Sequence, residues 1–314
     1  MENNNLLISI VVITYNSSKY VLETLESVKA QTYRNIELIV SDDCSKDDTV
    51  EICKDWLEKN KDRFVRTELI TVERNTGIAP NCNRGCKKAE GEWVKLIAGD
   101  DVFMKTCIED NVSFIQKNNQ VQILFSRGCC FWGSLDEYRA NATHETERIQ
   151  QIPFFYLLSS RDQMSYLINN LNLIEAPTGF MKRELLELCD YYNEQFPFIE
   201  DLPMWINLTQ HGIKLYFMPK YTIFHRKGDS ITMSSEKMIN MNYYQSWLKF
   251  RSKLKYSISG YITFSIIKFQ YYLLINIFKN KRNRSSEAVQ SLFQHIIRMK
   301  LSLSRRFLRL KRMY

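Results

Sequence analysis

The sequence predicts an α/β fold: a mostly parallel central sheet with helices on both faces, followed by a helical, basic C-terminal tail. Three observations carry this. Over the first hundred residues, short apolar runs rich in β-branched residues alternate with apolar stripes at helical spacing. The links between them are short, as parallel β-α-β units covered on both faces require. Positive charge then collects at the far end, where eleven Lys or Arg stand against one acid, Glu287, from Lys279 to Tyr314.

The elements follow in order. Leu7–Ile13 (LISIVVI) reads as a buried parallel strand. A helix begins near Ser18, with Val21, Leu25 and Val28 on one face, and Ile36–Val40 is the second strand. Ser45 and Asp48 have capping-box spacing ahead of Val50, Cys53 and Leu57. Glu68–Val72 is the third strand, Ala79, Cys82, Cys86 and Ala89 stripe the third helix, and Trp93–Ile97 is the fourth strand. Beyond Asp101 the pattern loosens. Val121–Ser126 suits a strand, 127–152 is loop-rich, and Pro177-Thr178-Gly179 is a turn. Leu202–His211, closed by Gly212, reads as a short helix with Pro203 in its first turn. Ile213–Met218 and Tyr221–His225 are late strands, and from about Ser235 the chain is helical, aromatic and basic. The expected division is therefore a nucleotide-binding domain over 1–232 and a helical extension over 233–314.

Composition narrows the class. The 314 residues are 45% hydrophobic and 25% charged, with ten Gly and six Pro, which excludes fibrous and low-complexity chains. The net charge of +8 belongs to the tail, and the rest of the chain is slightly acidic. None of the eight cysteines forms a C-x-x-C pair, and Cys53, Cys82 and Cys86 fall on apolar helix faces. Reduced, mostly buried thiols in the cytosol are expected, without a zinc site. No basic segment precedes an apolar run and cleavage site, so no signal peptide is expected.

In open α/β sheets, ligands bind beyond the carboxyl ends of the strands. Here those ends carry Thr14-Tyr15-Asn16, Ser41-Asp42-Asp43, Arg74-Asn75-Thr76-Gly77 and Gly99-Asp100-Asp101. Asp and Asn favour turns, which explains each singly. Two Asp-Asp pairs are harder to explain that way, because adjacent carboxylates repel unless a cation or hydrogen-bond donor uses them. A dinucleotide site fails on detail, since TYNSSKY offers no glycine to admit a pyrophosphate, and no Walker loop exists. Carboxylates with a divalent ion are the alternative way to hold phosphates. No His/Cys cluster competes, which suits a hard ion.

The runs SIVVITYNSSKYVLETLESVKAQTY, IELIVSDDCSKDDT and NTG…NRGCKKAEGEWVKLIAGDD closely resemble the inverting glycosyltransferases of family 2, which have the GT-A fold. The resemblance is dense over about 6–105 and resumes more thinly at 176–232. It implies transfer of a sugar, with inversion, from a nucleotide-sugar donor, preferably UDP-linked, to a glycan or polyprenyl-linked acceptor in surface polysaccharide assembly. It also implies roles. Tyr15 packs on the base with Thr14 beside it, Asp43 accepts from the base, and Asp100 lies near the ribose or sugar. Asp101 binds Mn²⁺ or Mg²⁺ bridging the phosphates. Gly99-Asp100-Asp101 lacks the first Asp of a full D-x-D motif, so the division of labour between the two carboxylates stays open. In Phe198-Ile199-Glu200-Asp201, Asp201 matches the catalytic base, and a helix N-cap is the plainer reading.

In HRKGDSIT, a metal or pyrophosphate role for His225, Arg226 or Lys227 stands beside a solvated loop. Cys82 replaces an Arg common among relatives, which removes a phosphate contact. Trp93 and Trp205 suit the core better than the acceptor cleft. A nucleotidyltransferase would show a glycine-rich signature after strand one. A non-catalytic sugar-binding relative would lack an acidic site. Neither description fits.

For the tail, Ile262–Phe278 is interrupted by Lys268, Gln270 and Asn276 and falls short of a clean spanning helix. Phe293, Ile297, Leu301 and Leu308 share a helical face, with Arg305, Arg309 and Arg312 around it. Peripheral attachment to the anionic inner leaflet is preferred over nucleic acid, for which no motif appears. Packing against the catalytic domain remains the alternative.

Overall fold

The computed structural model describes residues 6–135, 153–170, 174–227 and 237–310, leaving out the side chains at 298 and 301–310. β1 (Ile8–Thr14), α1 (Val21–Lys29), β2 (Ile36–Asp42), α2 (Thr49–Asn60), β3 (Thr67–Ile70), α3 (Ile78–Lys87) and β4 (Trp93–Ala98) keep the expected alternation. β5 (Val102–Phe103), α4 (Cys107–Lys117), β6 (Ile123–Trp132), α5 (Ser160–Asn169), β7 (Phe180–Lys182) and α6 (Arg183–Leu188) follow. Then come α7 (Asp201–Gln210), β8 (Tyr216–Lys227), α8 (Met241–Ser252), α9 (Ile258–Tyr272) and α10 (Arg284–Leu310).

One eight-stranded sheet runs β3-β2-β1-β4-β7-β6-β8-β5. β3, β2, β1 and β4 are parallel, so their carboxyl ends open on one edge. β7 is antiparallel to both β4 and β6, β8 is parallel to β6, and β5 is antiparallel to β8. Both faces are covered. On β1, Ile8, Ile10 and Val12 enter one core with α1, α2 and α4, while Val11 enters a second core with α3 and α7. Two buried faces explain why this strand reads as a continuous apolar run.

Three local expectations change. The two late strands are one, β8, because the chain stays extended through Pro219. Proline lacks an amide donor, and the β6 pairing shifts register around that point, between Phe125 and Arg127. The strand expected at Val121–Ser126 starts at Ile123 and continues to Trp132. The capping box at Ser45 and Asp48 does not form. Asp48 is the N-cap of α2 but makes no side-chain cap. Ser45 instead donates to Asp42 (2.5 Å), and Asp47 accepts from the Thr49 amide (3.2 Å).

The eight cysteines are free thiols, six of them buried. Trp93 stacks on Phe180 (4.8 Å), and Trp205 meets Phe125 edge-on (4.8 Å), both in the core. The expected domain boundary at 232 lies outside the described residues. Beyond it, Trp247 and Phe250 of α8, Ile267 of α9 and Ile297 of α10 join the core that holds α3 and α7. Arg251 donates to the carbonyls of Ile168 and Asn170 (both 2.7 Å) and so caps the C-terminus of α5.

Candidate active site

The loop after β1 is held by the loop after β2. The amides of Asn16, Ser17 and Ser18 donate to Ser45 Oγ (2.8 Å), Thr49 Oγ1 (2.7 Å) and an Asp47 carboxylate oxygen (3.1 Å). Backbone donors that a dinucleotide site would turn to phosphate are spent inside the protein. Asn16 and Cys44, at φ 50° and 68°, make the left-handed turns that bring the loops together. Asn16 Oδ1 accepts from the Lys46 amide (2.8 Å).

Asp42 and Asp43 have different partners. Asp42 accepts from Thr14 Oγ1 (2.8 Å) and from the Ser45 amide (2.8 Å). Asp43 accepts from the amides of Thr76 (2.9 Å) and Gly77 (2.7 Å), from Thr76 Oγ1 (2.6 Å), and from Arg84 Nη2 (2.6 Å). Gly77 has φ 101°, and a Cβ there would stand 2.8 Å from Pro197 Cβ, so this approach requires glycine. Sequence reading missed Arg84. Its signal was the N-R-G run one helical turn after Asn81, which is itself buried and donates to the Thr14 carbonyl (3.1 Å).

Above these loops opens a cavity of about 670 Å³ whose lining includes Thr14, Tyr15, Lys19, Asp43, Asn81 and Asp100. Tyr15 is 37% exposed, while Thr14 is buried with its hydroxyl turned to Asp42. A second cavity of about 430 Å³ adjoins it, lined by Asp101, Asp201, Glu175, Trp205, His225 and Tyr243 among others. Ile13, Ile78, Ala98, Asp100, Phe198 and Glu200 line both. The expected residues therefore converge on one divided cleft. Asn240, Asn242 and Tyr243, at the start of α8, also line it. Sequence reading missed them because they lie beyond the region of resemblance.

Charge is compensated unevenly across the cleft. Burial, followed by the neighbouring Asp100 charge, pushes the Asp101 carboxyl well above the usual range, and burial raises Asp100. Burial, then the Asp201 charge, pushes Glu200 up to about 8. Burial, then Lys227, lowers His225 to about 4, so its ring is neutral near pH 7. His225 Nδ1 is buried with no hydrogen-bond partner.

Arg226 is 5% exposed and lines the second cavity, but most of its donors are used inside the protein. Its amide donates to Asp101 Oδ1 (2.9 Å) and its Nε to the Asp100 carbonyl (2.9 Å). Its guanidinium also contacts Glu23 and the Gly133 carbonyl, sandwiched between the rings of Tyr20 (4.1 Å) and Phe131 (4.5 Å). Cys82 is wholly buried in the core, so its position cannot offer a phosphate contact.

A divalent ion fits this donor set. Asp100 and Asp101 supply hard oxygens that burial leaves short of positive charge, and the second cavity holds the unpartnered imidazole nitrogen. Among the described residues no group of three or more His, Cys, Asp and Glu encloses an ion. Phosphate oxygens of a ligand would have to complete the coordination.

The profile described as Glycosyl transferase family 2 matches residues 9–187. The chain belongs to that family. It is a glycosyltransferase, and its fold matches that of solved glycosyltransferases. Escherichia coli WfaP, a UDP-Glc:alpha-D-GlcNAc-diphosphoundecaprenol beta-1,3-glucosyltransferase, is 28% identical over 214 residues, covering 66% of this chain and 72% of WfaP. S. aureus TarS 1-349 in complex with UDP-GlcNAc superposes with a TM-score of 0.58 at 20% identity, covering 93% of this chain and 81% of that one. Against the longer TarS chain the glycosyltransferase spans 43%. The mannosyltransferase PcManGT from Pyrobaculum calidifontis, in complex with GDP-Man and Mn²⁺, gives a TM-score of 0.56 at 15% identity, covering 94% of this chain and 84% of PcManGT.

Proposed function

We propose that this enzyme moves a hexosyl or N-acetylhexosaminyl group from a UDP-sugar to a hydroxyl of a glycan or polyprenyl-linked acceptor, with inversion, in surface polysaccharide assembly. The observation that carries the reading is the divided cleft. Two cavities share a wall containing Asp100 and Glu200, which suits a donor and an acceptor meeting at one carbon. The nucleotide belongs in the larger cavity. There Tyr15 offers a ring to the base, Asp43 lines the base end, and Thr14 holds Asp42 in place. UDP-GlcNAc in TarS and the UDP-Glc named for WfaP support a uridine donor.

Asp101, with Asp100 and His225 beside it, would hold Mn²⁺ or Mg²⁺ together with the donor's phosphates. Such an ion neutralises charge as the diphosphate leaves, worth several kcal/mol. The protein's own residues do the rest. Asp201, the first residue of α7, takes the acceptor's proton as its oxygen attacks the anomeric carbon opposite the leaving diphosphate. The helix N-terminus favours the ionised form a base needs. Trp205 packed against Phe125 fixes the start of α7, and so the position of that carboxylate.

The GT-A domain is 1–232, and 233–314 is a helical extension whose first helix completes the cleft and which places the enzyme on the cytoplasmic face of the membrane without binding nucleic acid. Thermal stabilisation by nucleoside diphosphates and nucleotide sugars, with and without Mn²⁺, tests the donor reading. UDP with Mn²⁺ should raise the melting temperature most. Equal stabilisation by every base would remove the assignment of Tyr15 and Asp43.

A further inference from the structure

Helix α9 is apolar on both sides: Ile267, Phe264 and Tyr271 pack against the core, and a second apolar stripe faces out. Its inward stripe, at helical spacing, is Gly260, Thr263, Ile267 and Gln270. Its outward stripe is Ile258, Tyr261, Ile262, Phe269 and Tyr272, between 48% and 85% exposed. In a water-facing helix the apolar stripe turns to the core and the polar one to solvent. Here the inward side mixes Gly260, Thr263 and Gln270 with Ile267, Phe264 and Tyr271, while further aliphatic and aromatic groups face out, Phe269 among them beside Phe293 of α10. The inward seat is specific. The Ser257 amide and Oγ both donate to Asn169 Oδ1 (2.8 Å), and Lys300 reaches the Ser259 carbonyl and Thr263 Oγ1. The outward stripe is therefore not produced by loose docking.

What covers this face is marked by charge. Between Lys237 and Ser286 the chain carries ten Lys or Arg and no Asp or Glu. Lys253, Lys255, Lys268, Lys279 and Lys281 are exposed around and beyond the helix. A scattered apolar face rimmed by cations alone fits an anionic bilayer surface, where tyrosines lie at headgroup level and aliphatic groups enter the acyl boundary. The segment Ile258–Ile277 is also long and apolar enough to cross a bilayer by length and composition, with a mean hydropathy of 1.2. Crossing would require Thr263 and Gln270 to leave their inward seats, so an interfacial position keeps the described packing intact.

We propose that α9 lies in the interface of an anionic membrane through Ile258, Tyr261, Ile262, Phe269 and Tyr272, with the surrounding lysines on the headgroups. This rests on the inner-leaflet reading above and adds the element that inserts. The catalytic cleft would then ride beside the bilayer that carries a lipid-linked acceptor, because α8, which leads into α9, lines that cleft at its start.

The test uses the full chain, vesicles of phosphatidylcholine with 30–40% phosphatidylglycerol (about that range), and two variants. Ile258→Asn with Ile262→Asn removes exposed side chains, so folding should hold, checked by an unchanged melting temperature. Its partition coefficient should fall by about tenfold or more, with the salt dependence of binding kept. Tyr261→Trp should show indole fluorescence quenched by lipids brominated near the headgroup. Undiminished binding by the double variant, without quenching in Tyr261→Trp, would overturn the insertion of α9 while leaving attachment to the basic tail. No binding by the wild-type chain to anionic vesicles would overturn the inner-leaflet reading itself. A wild-type dimer that the double variant abolishes, without vesicle binding, would assign the face to a second copy of the chain.

Discussion

The two halves of the cleft hold their carboxylates in opposite ways. Asp42 and Asp43 are met by hydroxyls, amides and a guanidinium supplied by neighbouring loops. Asp101 is buried and Asp100 and Glu200 are half-buried; desolvation pushes all three carboxyls up, helped at Asp101 by the Asp100 charge and at Glu200 by the Asp201 charge. The first half is complete as folded, with four donors already on Asp43. The second carries an electrostatic deficit that a cation and a substrate would relieve. In the proposed reading, binding there is coupled to chemistry, whereas the first half holds the nucleotide.

The largest expected effect breaks the second half at its centre. Asp101→Ala should lower transfer by about 10³-fold or more, the scale of several kcal/mol of lost transition-state stabilisation. It should also abolish Mn²⁺-dependent stabilisation by UDP. Relief of the buried carboxyl and loss of the acceptor for the Arg226 amide oppose each other, so the variant should still melt cooperatively, which a melting curve without ligand checks. Metal-dependent UDP binding equal to wild type would show that another residue holds the ion.

Next comes the base. Asp201→Asn should slow transfer by about 10²–10⁴-fold while leaving UDP affinity unchanged, since the residue lines the second cavity and not the first. Near-normal turnover would reduce Asp201 to a structural residue of the first turn of α7, whose N-cap is Glu200.

The same exchange in the first half should behave differently. Asp43→Asn leaves Arg84 facing a neutral amide, with a destabilisation of about 1–3 kcal/mol. UDP affinity should fall about tenfold to a hundredfold, while the metal dependence of what binding remains is preserved. Isothermal titration with and without Mn²⁺ separates the two effects. An Asp43 variant that loses metal dependence would erase the distinction between the halves.

The smallest effect is a matter of pH. Glu200 ionises near 8 in the folded protein against an ordinary value of 4.5, so the folded state holds the extra proton between those limits. Wild-type stability should therefore decline as pH rises from about 4.5 to 8 and then level. Glu200→Gln should melt close to wild type near pH 5 and clearly higher near pH 8. Parallel melting curves for the two proteins would show that the Glu200 carboxyl is not held protonated.

The halves also differed in how far they could be read beforehand. β1 through β4 and the polar groups at their ends were legible because apolar runs, helical stripes and strand-end residues all lie close in sequence. Asp201 could be placed because an acidic pair directly precedes a recognisable helix. The rest depends on distant pairing. Nothing local says that Pro219 sits within a continuous strand, which only the register with β6 reveals. The inward turn of Arg226 depends on rings contributed by α1's N-cap residue and by β6. The outward stripe of α9 escaped notice because hydropathy along a sequence records how apolar a helix is, and burial alone records which side is wet.

Arg226 also sets a schedule for synthesis. Its amide and guanidinium hold the Asp100-Asp101 turn from 125 and 126 positions further along the chain. At about 5–20 residues per second, a ribosome leaves the first four strands waiting on the order of ten seconds for that clasp. During that interval the carboxylate turn lacks its clasp, and the first cavity lacks the wall that Phe198, Glu200, Asn240 and Asn242 supply, so neither half of the cleft is finished before the chain has passed β8.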